Sequence, residues 1–551
     1  MYRSKHRLAF LRLAGCCGML TVASAAFQAL INYFRKPVPF DVLTSTLGDI
    51  TRLLDEGQLT SVDLVRAYVS QITNHNHAGT KLHALVSVVQ DDIALDVARR
   101  LDKERRKGQI RSRLHGIPFV AKDTMWSEAS LGVPTTCGTF ALRNTLAKEN
   151  ADVIQLFIDA GMILIGKANL SELGGAKSSK CIAGCSASGG QTQSAYVMGG
   201  IAPGDSWLGH SNPAGSSAGS AVAVSAGMAP MALGTEADGS LVMPSDRAAL
   251  YSIRLSPDAI SRRGVLPYNG LSDSLGPMTK SPEDAAHVLN ILLGRNDLTQ
   301  FLGRSFAGMN IGFLDPTEWA SGPAAVKPNE SFAKQYISEF DAAVGKIEAA
   351  GATVTRKVKL RRITAEDDNM CSSIAWHDYG PGFADFTAGM INPPVRTLSE
   401  LVEFNKKHHE EAMPEGCEGQ DCIEEAVAKM NATTDEVYKE CRRKVIHNNR
   451  VLGLDQTFAE YGLDVIIGAP TGRSVTVYDL AGYPVGTMPL GYARFNERPF
   501  GVAVVAPRRR EDVIIGIMSA WEGLFGPRKP PRQLVQWSGK MQGGGLQMSP
   551  V

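Results

Sequence analysis

The sequence predicts an α/β fold whose sheet is largely buried. Three observations carry that reading. Helix-period stretches alternate with short apolar runs along most of the 551 residues. The apolar runs are bounded by Gly and Pro. Hydrophobic residues make up 44% of the chain, enough for a large core.

The elements follow in order. Apolar positions 64, 65, 68 and 72 mark one face of a helix over Val62 to Ile72, with Thr60 or Ser61 as N-cap. A second helix covers Asp92 to Lys107. GIPFVAKD, 116 to 123, is a short buried strand ending at Lys122. DVIQLFIDAG is a helix closed by Gly161, and MILIG after it is a strand. The helix-then-strand pattern returns at DAAVGKIEAAG and ATVTRKV. DVIIGAP, GTMPLG and FGVAVVAP are further short strands, and EDVIIGIMSAWEGLF is a closing helix. Residues 379 to 460, richer in charge and helix formers, form a helical insertion. No linker inside 40 to 535 is long enough to separate domains, and the GGG-containing tail 539–551 reads as flexible.

Charge excludes one class of partner. There are 57 basic and 56 acidic residues, a net charge of +1 and no basic block, so nucleic acid is not expected. At the N-terminus Arg3, Lys5, Arg7 and Arg12 precede an uncharged run from Leu13 to Ile31 that contains the small-residue site Ala23-Ser24-Ala25. Residues 1–31 therefore read as a signal peptide or a membrane anchor. Either places the chain in the secretory pathway, secreted or held to a membrane through residues 13–31. Sequons begin at Asn169, Asn329 and Asn431, the first in an apolar setting that disfavours a glycan. Seven cysteines follow Cys16 and Cys17 of the leader, so at least one has no partner in the chain. Cys417 and Cys422 flank an acidic, Gly-containing loop and are placed to bridge, and Cys181 and Cys185 lie close in another loop. Neither pair has a His at ligand spacing, so no metal is expected.

The chemistry concentrates in SNPAGSSAGSAVAVSAG, 211 to 227. Small-residue runs usually make linkers, yet this one leads into an apolar stretch. Gly215-Ser216-Ser217-Ala218-Gly219 fits the G-x-S-x-G elbow, but the residues before it read as loop where the elbow needs a strand. Alone, the two serines would be helix caps. Ser240 follows a Gly-containing turn 24 residues after Ser216, a span that one helix and one strand fill. A serine needs a base. Between 116 and 290 the only histidines are His210 and His287, whereas Lys122 ends a buried strand, where burial lowers an amine's pKa.

These pieces resemble the amidase signature family of Ser–Ser–Lys hydrolases. The matching stretches are HGIPFVAKD at 115–123, DVIQLFIDAGMILIGKANLSEL at 152–173, NPAGSSAGSAVAVSAG at 212–227 and GTEADGS at 234–240. LGPMTKSPEDAA at 275–286 and DLAGYPVGTMPLGYARFNERPFGVAVVA at 479–506 continue them in family order. The stretch 189–213 is similar to the longer loop of the fungal branch. The resemblance implies one large catalytic domain over 40–535, with a mixed central sheet covered by helices on both faces. It implies Ser240 as nucleophile, Ser216 as a bridging serine on a cis peptide bond, and Lys122 as base. Backbone N–H groups of Ala237, Asp238, Gly239 and Ser240 would hold the oxyanion, and Ser217 would support the Lys–Ser network. The expected reaction is hydrolysis of a non-peptide carboxylic amide to acid plus ammonia or amine, without metal or cofactor. Expected partners are a small-molecule amide, a membrane through residues 13–31, and a second copy of the chain as a homodimer. Acyl or amido transfer on the same fold, and an idle binding member of it, are the alternatives. The sequence departs from the family pattern near the site: Asp238 replaces a Gly, Val242 stands where many members carry Arg, Ala214 and Ala218 replace glycines of the serine loop, and Ser252, Leu255 and Ser256 fall where the family commonly shows Gly-x-Lys-Pro-Thr.

Overall fold

The apolar runs of the sequence become the eleven strands of one sheet. A computed structural model describes residues 40–323 and 325–535. The strands are β1 (Leu85–Val88), β2 (Pro118–Lys122), β3 (Ile163–Ala168), β4 (Ala232–Glu236), β5 (Tyr251–Arg254), β6 (Ser274–Thr279), β7 (Asn310–Phe313), β8 (Thr353–Arg356), β9 (Val465–Gly468), β10 (Val485–Tyr492) and β11 (Pro499–Val505). Their order is β1-β3-β2-β4-β6-β5-β10-β11-β9-β7-β8. The sheet is mixed. β2 runs parallel to β3 and β4, and β7 runs parallel to β8 and β9. The other neighbours are antiparallel.

Parallel neighbours need a crossover, and helices supply it. Asp152–Asp159 lies between β2 and β3 in the chain, and Ala218–Ser225 precedes β4. Every residue of β2, β3, β6, β9 and β11 is buried. That is why those runs lack the polar alternation of a half-exposed strand. The core joins β2, β3, β4 and β11 to the helices Ser61–His75, Pro282–Leu292 and Glu511–Phe525.

Local signals set several helix ends. Thr60 caps Ser61–His75: its Oγ1 accepts the Asp63 N–H at 3.1 Å, and the Asp63 carboxylate accepts the Thr60 N–H at 3.0 Å. Leu64, Val65, Tyr68 and Ile72 are buried, as their spacing predicts. The helical segment between β8 and β9 starts at Ala365 rather than at 379. Thr364 caps it in the same reciprocal way with Asp367. The Gly380-Pro381-Gly382 stretch, which reads as a breaker, lies inside Ala365–Ala388. Both glycines are close-packing sites there. A Cβ would sit 3.0 Å from Met430 Sδ at Gly380 and 2.6 Å from Pro267 Cγ at Gly382.

Two expectations need correction, and the burial of Asn169 agrees with its apolar setting in the sequence. Cys417 bonds to Cys185, 232 residues away, and not to Cys422, which is a free thiol. Residues 1–31 and the tail 539–551 lie outside the described residues. No helix among the described residues is long and apolar enough to cross a membrane. Placement in the secretory pathway, and a membrane partner, rested on residues 1–31 and are not carried further. Asn169 is fully buried, its Nδ2 donating to the carbonyls of His83 and Gly190 at 3.0 Å each.

Candidate active site

β2 ends on Lys122, and the buried end of the strand carries its side chain into the core. Lys122 is fully buried, and Nζ lies 2.7 Å from Ser216 Oγ and 3.4 Å from the Thr235 carbonyl. Burial lowers its pKa to about 7, against the opposing pull of Glu236 and Cys137. At neutral pH both the ammonium and the free amine are populated.

Ser216 follows a cis peptide bond from Gly215. Small neighbours let the backbone pack tightly here. A Cβ on Gly215 would lie 2.4 Å from Ser171 Oγ. Ser217 precedes the helix Ala218–Ser225. It makes no side-chain cap; instead its hydroxyl donates to the Thr235 carbonyl at 3.0 Å and accepts the Thr235 N–H at 3.3 Å. Its own N–H donates to the Ser240 carbonyl at 2.9 Å. Ser217 therefore latches the serine loop to β4 and to the turn that carries Ser240.

The chain from Ser216 to Ser240 runs through that helix and β4, the two elements its length predicts. After β4 comes the turn Ala237-Asp238-Gly239-Ser240, with Gly239 at φ +73°. Ser216, Ala237, Asp238 and Ser240 line a cavity of about 580 Å³ whose walls include Trp126 and Tyr268. Gly239 does not line it. Its N–H donates to Asp479 Oδ2 at 2.9 Å, so this amide points away from the expected oxyanion position. The amides of Asp238 and Ser240 donate to no protein acceptor among the described residues. The Asp238 carboxylate accepts a hydrogen bond from Thr476 Oγ1 at 2.9 Å. Val242 is fully buried.

The turn is fixed by groups that the sequence reading passed over. Glu236 accepts the N–H groups of Leu241 and Val242 at 2.6 and 2.8 Å, closing the loop that holds Ser240. Arg254, on β5, lies with its Nε 2.9 Å from Asp479 Oδ1 and 3.7 Å from Glu236 Oε1. Two buried carboxylates thus face one buried guanidinium, and burial raises the pKa of both. Behind Lys122, Lys167 pairs with Asp123 at 3.0 Å, both fully buried. Across from Ser216, Leu173, Gly174 and Gly175 share positive φ, and a Cβ on either glycine would lie 4.0 Å from Ser216. Asp479 falls in a motif the sequence singles out, yet nothing local links it to Gly239, 240 residues away.

A buried amine on a serine hydroxyl, with a second serine on the same cavity, is a hydrolase-like arrangement, and comparison with known proteins agrees. The family model described as Amidase matches residues 63–515. A probable amidase of Arabidopsis thaliana is 27% identical over 516 residues, covering 92% of this chain and 96% of the relative. A putative amidase of Schizosaccharomyces pombe is 26% identical, covering 89% and 86%. Among solved structures, the native peptide amidase from Stenotrophomonas maltophilia superposes with a TM-score of 0.78 at 28% identity, over 90% of this chain and 99% of that one. With the matched model spanning most of the sequence, the chain belongs to the amidase family and is an amide-hydrolysing enzyme.

Proposed function

We propose that the enzyme cleaves a small or medium non-peptide carboxylic amide through an acyl-enzyme on Ser240, with Ser216 and Lys122 as proton relay. The observation that carries this reading is the 2.7 Å contact between buried Lys122 Nζ and Ser216 Oγ on the cavity that Ser240 shares. With Nζ neutral, Ser216 donates its proton to the amine while accepting that of Ser240. Ser240 Oγ then adds to the amide carbonyl carbon. The negative oxygen falls to the amides of the turn, chiefly those of Asp238 and Ser240. The relay returns a proton to the leaving nitrogen, the C–N bond breaks, and ammonia or amine departs. Water, deprotonated by the same relay, attacks the ester carbonyl and frees the acid. The cavity volume suits a drug-sized amide.

A second reading concerns the substrate. The likeness to a peptide amidase over 90% of the chain supports including peptide amides in any screen. Acyl transfer to an amine would use the same Ser240 ester.

The test is labelling with a fluorophosphonate probe, followed by peptide mapping, in wild type, Ser240→Ala and Lys122→Ala. The expected adduct is on Ser240, absent in Ser240→Ala and slowed in Lys122→Ala. An adduct on Ser217 would overturn the assignment in favour of an elbow serine. No adduct on folded protein would make the chain an idle binding member of the family.

A further inference from the structure

A second cavity, of about 460 Å³, shares no lining residue with the first. Its walls include Asp246 and Arg247 from the end of the helix Val242–Arg247, Phe332 and Tyr336 from the helix Glu330–Ala349, Arg498 just before β11 and Phe500 within it. Aromatic rings pack edge to face here: Phe332 and Phe500 lie 5.4 Å apart, and Tyr336 and Phe500 5.6 Å. An apolar chamber is an unusual place for two arginines, each only 3% exposed.

The two arginines are not equivalent. Arg247 gives its terminal N–H groups to the carbonyls of Gly209 and Leu208, at 2.5 and 3.1 Å. Asp246 lies 3.7 Å from Arg247 Nε and accepts the Gly501 N–H at 2.5 Å. The one buried carboxylate is thus engaged. Arg498 donates no side-chain hydrogen bond to any described residue, its Nε is buried without a partner, and its guanidinium stacks over the Phe332 ring at 4.4 Å. A second carboxylate, that of half-buried Asp205, attracts both guanidinium groups, but its oxygens accept from Ser206, His210 and Ser211, so neither carboxylate is hydrogen-bonded to Arg498. A buried guanidinium without a hydrogen-bond partner is costly, and an anion that accepts from it lowers the cost. On the same wall His210 Nε2 donates to the Lys327 carbonyl at 2.9 Å, leaving Nδ1 buried as an unpaired acceptor.

We propose that this cavity is a second ligand site, which takes a monocarboxylate on an aromatic or compact apolar body. The carboxylate lies on the free fork of Arg498, and the body lies against Phe332, Tyr336 and Phe500. The one guanidinium without a hydrogen-bond partner matches a single anionic group. The planar fork matches a carboxylate's two oxygens. The rings exclude water from the rest of the ligand. This site stands independently of the role given to Ser240.

The experiment is isothermal titration of the full chain with phenylacetate and 3-phenylpropionate, with 2-phenylethanol as the neutral control. The chains compared are wild type, Ser240→Ala, Arg498→Leu and Arg498→Lys. Saturable one-to-one binding of an acid is expected in wild type and Ser240→Ala, with affinities within about two-fold. Arg498→Leu weakens it at least ten-fold, and Arg498→Lys weakens it less, because the charge remains and the fork is lost. Arg498→Leu still folds, with one cooperative melt, since it breaks no side-chain hydrogen bond and loses only the stacking on Phe332. Absence of saturable binding by folded wild type overturns the proposal. So does binding that Arg498→Leu and Arg498→Lys leave unchanged, or that only Ser240→Ala abolishes, which would place the acid in the first cavity.

Discussion

If Lys122 is the base, pH exposes it. Burial brings its pKa from 10.5 to about 7. An ordinary lysine at pH 7 is neutral in roughly one molecule in three thousand; this one is neutral in about half. The free amine being the competent form, kcat/KM rises about ten-fold per pH unit below 7 and levels off above it. Lys122→Met has no base, and Lys122→Arg keeps its proton at every accessible pH. Each is expected to lose about 10²- to 10⁴-fold in kcat/KM. Stability carries a second signature with its own sign. The folded pKa lies below the unfolded one, so the unfolded chain binds more protons between about 7 and 10.5, and stability rises with pH across that window. The full penalty, about 5 kcal/mol, applies below pH 7. Lys122→Met removes it, so its stability advantage over wild type is largest below pH 7 and vanishes above 10.5. The assays are initial rates on an amide from pH 5 to 9 and urea unfolding over the same range. A flat wild-type rate profile, together with an active Lys122→Met, would refute the reasoning.

Two further substitutions test the frame around the relay. Asp479→Asn removes the carboxylate that pairs with Arg254 and anchors the Gly239 N–H, and it should cost about 3–5 kcal/mol in urea unfolding. An unchanged midpoint would mean that Glu236 alone balances Arg254. Gly219→Ala puts a Cβ 2.3 Å from the Ala84 carbonyl oxygen and 2.5 Å from both Asn169 N and O, all backbone atoms that cannot rotate away. The helix behind Ser216 must shift, at about 1–3 kcal/mol by thermal melt, with amide turnover falling about ten-fold or more. Wild-type values of both would show that the serine loop tolerates the shift.

Much of the site could be read along the chain because its signals are short-range. A continuous apolar run bounded by Gly and Pro marks β2 whatever lies beside it, and Lys122 stands out at its end. Thr60 and Asp63 cap a helix through contacts three residues apart. The 24-residue step from Ser216 to Ser240 holds one helix and one strand, a pair that fits that length. The sequence by itself therefore determined the fold class, the serine-rich stretch of the candidate site and the family. Other features depend on which strands become neighbours, and only the tertiary structure decided those. Strand order brings Asp479 to Gly239 and Cys417 to Cys185, across 240 and 232 residues. The same folding sets Arg254 between two carboxylates and leaves Arg498 without a carboxylate to hydrogen-bond. It also overrides local preference where packing is stronger, as at Pro381 inside its helix. The reason is physical: a propensity acts over a few residues, whereas a buried charge is satisfied or stranded only by what the completed core places beside it.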